Sequence, residues 1–445
     1  MADIKNPLDS LLPWVEGLHR GDTDVEVPHP ADAADQIERL DIEDQVKFVK
    51  QLPIQDAADS IAEMEQLDQG SLVRQLNVGF AARVLGAMSP DDATDIIDDM
   101  EEELQEKILA RMKRADRSEI ESLLTFDPDT AGGVMNTEIV ILDEGLTVDQ
   151  AITQIREEVE DKEIPYYAYI VDRKGVLGGV LSLRDLLVSR HGKKLIDLYK
   201  TQNLITVTFD EDQEEVSRLI SHYGFLALPV VDHEDRLLGV VTVDDAMDIM
   251  EEEASEDMQS MVGAGMDETT DSPWLYSVRQ RLPWLVLNIA NSAVSAWVVH
   301  LFEGNIAQMA VLAVLMPIVA NQAGNTGQQA LAVMIRQLAT EKFDRKRSWV
   351  AVLRELKIGA LNAVIIAMVV FGFVMLMTSN ATLAMVMSLA LGMDMIIGAF
   401  AGASIPLILK EIGRDPAQAS SIFLTTITDS LGFLALLGLA GLFLL

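Results

Sequence analysis

Five apolar runs follow one another toward the end of the chain, over residues 283–302, 306–338, 357–377, 383–409 and 417–445. About 20 apolar residues suffice for a helix to cross roughly 30 Å of hydrocarbon, so each run is long enough to span a membrane. A chain with such a half folds in two solvents, and its charge is divided accordingly. The 34 basic and 70 acidic residues give a net charge of -36. Residues 1–271 carry about -39 of this, and residues 272–445 about +3. The acidic half reads as water-soluble. Its charge argues against nucleic acid, whose binding rests on neutralising phosphates with Lys and Arg. The absence of Cys excludes disulfides and thiolate metal sites.

The loops orient the spans. Arg279 and Arg281 precede the first span, Lys342, Arg345, Lys346, Arg347 and Arg354 lie between the second and third, and Lys410 and Arg414 lie between the fourth and fifth. The alternate loops, at Glu303-Gly-Asn and Ser379-Asn-Ala, have no basic residue. Positive charge stays on the cytoplasmic side, so the expectation is a multi-pass protein of the cytoplasmic (inner) membrane with a cytoplasmic N-terminus and an external C-terminus. The first residues lack a basic stretch followed by an apolar core, so no signal peptide is expected.

Two polar constellations interrupt the apolar half. Asp429 sits in the last run, and a carboxylate in hydrocarbon costs about 3 kcal/mol on insertion scales. Thr425, Thr426 and Thr428 add hydroxyls on the same helix, and Gly432 allows another backbone to come close. The second run carries Pro317, Asn321, Gln322, Gly324, Asn325, Gly327, Gln328 and Gln329. Amides of this density serve as glue between helices or as the lining of a wet path. Asp394 is a second acid, in the fourth run. Pairing with an amide of the second span is the favoured reading, with a second ion ligand as the alternative. His300 reads as interfacial.

In the soluble half, an Asp-Ala-x-Asp phrase recurs at Asp32, Asp56 and Asp92, with steps of 24 and 36 residues. Both are multiples of 12, the length of a short helix and its turn, so an all-α superhelix is expected. Further on, a strand–turn–strand–helix pattern repeats with Gly179 and Gly239 in equivalent places. These two α+β units resemble a tandem pair of CBS domains. In such domains the Gly-x-x-Ser/Thr-x-x-Asp phrase often holds a nucleotide, which by resemblance makes Ser182, Asp185, Thr242 and Asp245 nucleotide candidates, with ATP as the ligand. Many CBS pairs bind nothing, so both readings stay open. The stretch 246–271 is rich in acids, which repel along a helix unless a cation bridges them.

The order of these parts resembles the MgtE family of magnesium channels over essentially the whole chain. The matching phrases are the amide-rich second span, Asp429, the CBS pair, Pro128-Asp-Thr-Ala-Gly-Gly-Val-Met135 and Gly413-Arg-Asp-Pro416. The resemblance implies a multidomain membrane protein. It would have a helical N domain (1–126), CBS domains (127–190 and 191–250), an acidic connecting helix (251–272) and a five-helix transmembrane domain (273–445). It further implies a homodimer in membrane lipid that conducts Mg2+ past Asp429, Thr425, Gly432, Asn325 and Asn321. Regulatory Mg2+ would bind at Asp91, Asp95, Asp212, Glu214, Asp245, Asp248, Glu253, Glu256, Asp257 and Asp415. Gly224 stands where the family often has an acid, so one ligand would be missing. Two alternatives remain at this point: a path for Mn2+ or Co2+, whose ligand preferences overlap, and a CBS-based nucleotide sensor that transports nothing. No nucleophile–base pair stands out, so an enzyme is not expected. No energy-coupling motif stands out either, so flow is expected to be passive.

Overall fold

The computed structural model describes residues 28–445, apart from 159–165, 200–203, 266–267, 271, 341–343 and 419. The N-terminal residues on which the signal-peptide expectation rests, and Lys342 among the loop cations, lie outside the described residues. The chain divides into two compact units, Met1–Met250 and Glu251–Leu445.

The first unit opens with α1 (Pro30–Glu38), α2 (Ile42–Val49), α3 (Ile54–Ala62), α4 (Gln66–Gln75), α5 (Val78–Leu85), α6 (Pro90–Asp98), α7 (Glu102–Leu109) and α8 (Arg114–Leu123). Every start falls 12 residues after the last, so the period glimpsed in the Asp phrases is that of the whole domain. Local chemistry sets the starts. Pro stands in the first turn of α1 and α6, where its missing N–H costs nothing, and the Asn77 side chain accepts from the Phe80 N–H at the start of α5. Each helix packs on the next but one, α1 on α3 and α3 on α5, α2 on α4 and α4 on α6. The result is two stacks around one apolar seam that includes Ile37, Ile61, Leu85 and Ile97.

Two copies of a three-stranded motif follow. In the first, β1 (Val140–Asp143) pairs in parallel with β2 (Tyr167–Val171), after the helix α9 (Val148–Glu158), and β2 pairs antiparallel with β3 (Leu177–Ser182). The short helices α10 (Leu183–Val188) and α11 (Ile196–Tyr199) complete it. The second repeats the pairing with β4 (Val207–Thr208), α12 (Gln213–Tyr223), β5 (Ala227–Val231) and β6 (Leu237–Thr242). A bridge between Val176 and Arg236 joins equivalent positions of the two copies. Tyr169 of one copy and Val231 and Val240 of the other share a buried core. The helix α13 (Val243–Val262) leaves β6 without a break.

The second unit is helical. It contains α14 (Trp274–Leu301), α15 (Glu303–Gln308), α16 (Val311–Thr340), α17 (Arg345–Thr378), α18 (Ala381–Glu411) and α19 (Ser420–Phe443). α14, α17, α18 and α19 are long and apolar enough to cross a membrane. α16 is equally long, but its amides lower its hydropathy, and its burial comes from packing on α18 and α19. The run 306–338 is divided between two helices. The supposed loop at Glu303 is the helix α15, and α16 starts only at Val311. α18 is the centre: 61% of its most apolar stretch is buried, against 11% for α14 and 17% for α17. Leu285, Ile289, Leu361 and Met368 are exposed on the outer helices, as expected of a surface that meets hydrocarbon.

The contact of α16 with α18 is set by absent side chains. A Cβ on Gly402 would fall on the Gly327 carbonyl oxygen, and one on Gly398 on that of Ala323. Neither neighbour can yield, because both are backbone. Gly402→Ala is expected to destabilise the membrane domain by about 1–3 kcal/mol, the usual cost of overpacking, lowering its thermal unfolding midpoint in detergent. Gly438→Ala, where a Cβ meets nothing within 4 Å, is expected to leave the midpoint in place.

Candidate functional site

Asp429 lies half-buried on α19, the helix that packs on α14, α16 and α18. The hydroxyls beside it bond back to their own helix: Thr425 to the Ser421 carbonyl at 2.8 Å, Thr426 to Ile422 at 2.9 Å and Thr428 to Leu424 at 3.1 Å. Their donors are thus used, while their oxygens keep accepting capacity. One turn beyond Asp429, Gly432 is buried against Asp394 of α18. Asp394 is 0% exposed, and among the described residues neither of its oxygens has a hydrogen-bond partner. The pairing expected with an amide of the second span is therefore corrected. Asn321 and Asn325 fall one turn apart on the exposed side of α16, whereas Ala323 and Gly327, on its other side, meet α18.

The soluble carboxylates form two groups. In the first unit, Asp91 and Asp95 of α6 face Asp245 at the start of α13. Asp91 is buried and accepts from Asn136 Nδ2 at 3.2 Å. Asp245 accepts from the Thr242 hydroxyl at 2.5 Å. Burial, and then the charges of Asp91, Asp92 and Asp245, push Asp95 up to about 8. Asp91 and Asp245 are likewise raised, first by burial and then by neighbouring aspartates. In the second unit, Asp257 of α13 is pushed up to about 6 by burial, then by Asp415 and Glu253. Glu253 and Glu256 are half-buried on the same helix, and Asp248 is exposed. Asp415 is exposed and accepts from the Ala417 N–H at 2.8 Å. Asp212 caps α12 through the Glu214 N–H at 2.9 Å, and Glu214 is exposed. Among the described residues, no three acidic or His side chains already converge as a metal cluster.

Comparisons with known proteins cover the same parts. Residues 28–129 match the MgtE intracellular N domain, 131–192 and 196–252 the CBS domain, and 316–439 MgtE, described as a divalent cation transporter. The magnesium transporter MgtE of Bacillus subtilis is 36% identical over 337 residues, 75% of this chain and 74% of the relative. The chain belongs to the MgtE family. The Thermus thermophilus magnesium transporter MgtE is also 36% identical, over 74% of this chain and 73% of its own. A crystal structure of the soluble part of a magnesium transporter superposes with a TM-score of 0.51 at 29% identity, covering 56% of this chain and 98% of that one.

Against the MgtE pattern, Gly224 has a backbone explanation. It closes α12 in the left-handed region at φ 66°, where an acidic side chain would carry strain. The two CBS phrases differ in their surroundings. Ser182 and Asp185 form a capping box with Asp185 exposed, whereas Thr242 is buried and Asp245 faces α6. Two contacts escape sequence reasoning because tertiary packing, not local pattern, brings their partners together. Buried Glu268 takes a two-pronged ion pair from Arg281. The Ser421 hydroxyl donates to the Met261 carbonyl at 2.7 Å, tying the end of α13 to the start of α19.

Proposed function

We propose that this protein is a passive Mg2+ channel for uptake across the cytoplasmic membrane, built as a homodimer and closed by Mg2+ on its cytoplasmic side. The observation that carries the reading is Asp429, a half-buried carboxylate on a membrane helix of an MgtE chain. Mg2+ demands octahedral oxygen geometry and gives up its waters reluctantly. A path for it therefore needs oxygen acceptors around a hydrated ion: a carboxylate from each protomer and the threonine oxygens. The exposed amides Asn321 and Asn325 support a second copy across a wet path, since they would be costly against lipid. A membrane potential supplies about 2.3 kcal/mol per charge per 100 mV, twice that for a divalent ion, which suffices for inward flow.

The raised carboxylates support the control. With no bound cation, Asp91, Asp95 and Asp245 repel one another, as do Asp257 and Asp415. Bound Mg2+ bridges them and holds the closed arrangement. Several weak sites acting together reach the roughly 5.5 kcal/mol that a 1:99 to 99:1 shift requires. The nucleotide reading rests on the Ser182–Asp185 phrase, because the Thr242–Asp245 pair is committed to α6.

The test is uptake by the full-length protein in liposomes with an inside-negative potential. Mg2+ is expected to enter without added nucleotide and to slow as Mg2+ on the cytoplasmic face rises. No Mg2+ entry would overturn the channel, and faster entry of Mn2+ or Co2+ than of Mg2+ would reassign the cargo.

A further inference from the structure

We propose that Asp394 is a second cation-holding carboxylate of the membrane domain, facing α19 through the gap at Gly432, about one helical turn from Asp429. The inference rests on reading Asp429 as part of the ion path. Asp394 is fully buried, its two oxygens are unpartnered among the described residues, and Leu391 and Met395 of the same helix belong to an apolar core. An acid kept for structure inside a membrane domain pairs with a donor, and this one has none among the described residues. It is instead directed at one glycine. A Cβ on Gly432 would overlap Asp394 Oδ2 and stand 2.7 Å from its Cγ and 3.2 Å from Oδ1. The carboxylate thus occupies the place that any other residue at 432 would fill.

Asp429 is the charged neighbour of Asp394. Gly432 follows Asp429 by three residues, a rise of about 4.5 Å, so the second carboxylate lies that much farther from the end of α19 that begins at Ser420. In the proposed dimer the two Asp429 carboxylates already balance one divalent ion, and the Asp394 carboxylates add a second level. The two levels give a hydrated cation two adjacent stations, the arrangement that lets an ion bind and still leave. With the cytoplasmic end of α19 at Ser420, an entering ion meets the level of Asp394 before that of Asp429.

The test measures initial Mg2+ uptake by the full-length protein in liposomes against external Mg2+. Asp394→Asn keeps the shape and removes the charge. The half-saturating Mg2+ concentration is expected to rise about tenfold or more. A purely structural role would instead lower the maximal rate and leave half-saturation in place. Gly432→Ala, which displaces the carboxylate without removing it, is expected to shift half-saturation in the same direction. It should add nothing in an Asp394→Ala background, and this holds as the test if Asp394→Asn does not reconstitute. Wild-type half-saturation in both Asp394→Asn and Gly432→Ala, with Asp429→Asn defective, overturns the inference alone. Wild-type uptake in Asp429→Asn overturns the underlying path. An Asp394 that is simply protonated gives the first of these results, because Asn imitates the neutral acid.

Discussion

Asp429→Ala is expected to cut Mg2+ entry into proteoliposomes at least about tenfold at any external concentration tested. The size of the effect follows from charge. At an effective dielectric of about 20, a unit charge at about 4 Å is worth on the order of 4 kcal/mol to another unit charge, and a divalent ion doubles this. Retained waters screen most of that energy, yet about 1.4 kcal/mol is already tenfold. Asp429→Asn is expected to behave alike, because it keeps the volume and hydrogen bonding while losing the charge. Asp429→Glu is expected to keep part of the flux with altered preference among divalent ions, since the longer side chain moves the oxygens farther from α19. The neighbouring threonines donate to their own helix, so Thr426→Val is expected to be mild by comparison. Equal flux in Asp429→Ala and wild type would remove this residue from the path.

The contrast between Asp429 and Asp394 shows where sequence stops being informative. Asp429 is legible because an acid among apolar residues is anomalous on its own helix. The same reasoning finds Asp394 and then misplaces it. Its environment is set by the register of α18 against α19, which brings it to Gly432 rather than to the amides of α16. Periodicity is the most legible property of the fold. The recurrence of Asp32, Asp56 and Asp92 falls in α1, α3 and α6, and the 12-residue step holds through all eight helices from Pro30 to Leu123. The equivalence of Gly179 and Gly239 likewise places β3 and β6. The break between α15 and α16 is not legible, because Ile306, Ala307, Ala310 and Val311 keep the stretch around Met309 mostly apolar and the turn carries no Gly or Pro signal. The different fates of Ser182–Asp185 and Thr242–Asp245 are also hidden. Both phrases encode the same local cap, and only packing decides which one α6 meets.

Packing of α6 against the start of α13 is expected to weaken as pH rises in Mg2+-free buffer and to recover when excess Mg2+ is added. The direction is set by the raised carboxylates. A free aspartate titrates near about 4, whereas Asp95 in the folded unit titrates at about 8, with Asp91 and Asp245 also raised. Such groups contribute stability that is full below the unfolded value and lost as pH rises through the folded one. The loss should therefore develop from about pH 4 and be nearly complete above about pH 8. Each pH unit that separates the folded from the unfolded titration is worth about 1.4 kcal/mol, or tenfold in the packing equilibrium. Hydrogen exchange of the α6 amides in the full-length protein, corrected for the intrinsic pH dependence, reads it directly. Mg2+ should restore protection at pH 8 and do little at pH 5, where protons already neutralise the group. Replacing Asp91, Asp95 and Asp245 together with Asn should abolish both dependences and leave α6 protected throughout, because the repulsion is gone. The same variant should make channel closure much less sensitive to Mg2+. Protection that rises with pH in the wild type would reverse the sign and remove these carboxylates from the control. A triple variant that keeps the wild-type Mg2+ response would place the control elsewhere, with Asp257 and Asp415 the next residues to neutralise, because they repel each other beside the start of α19.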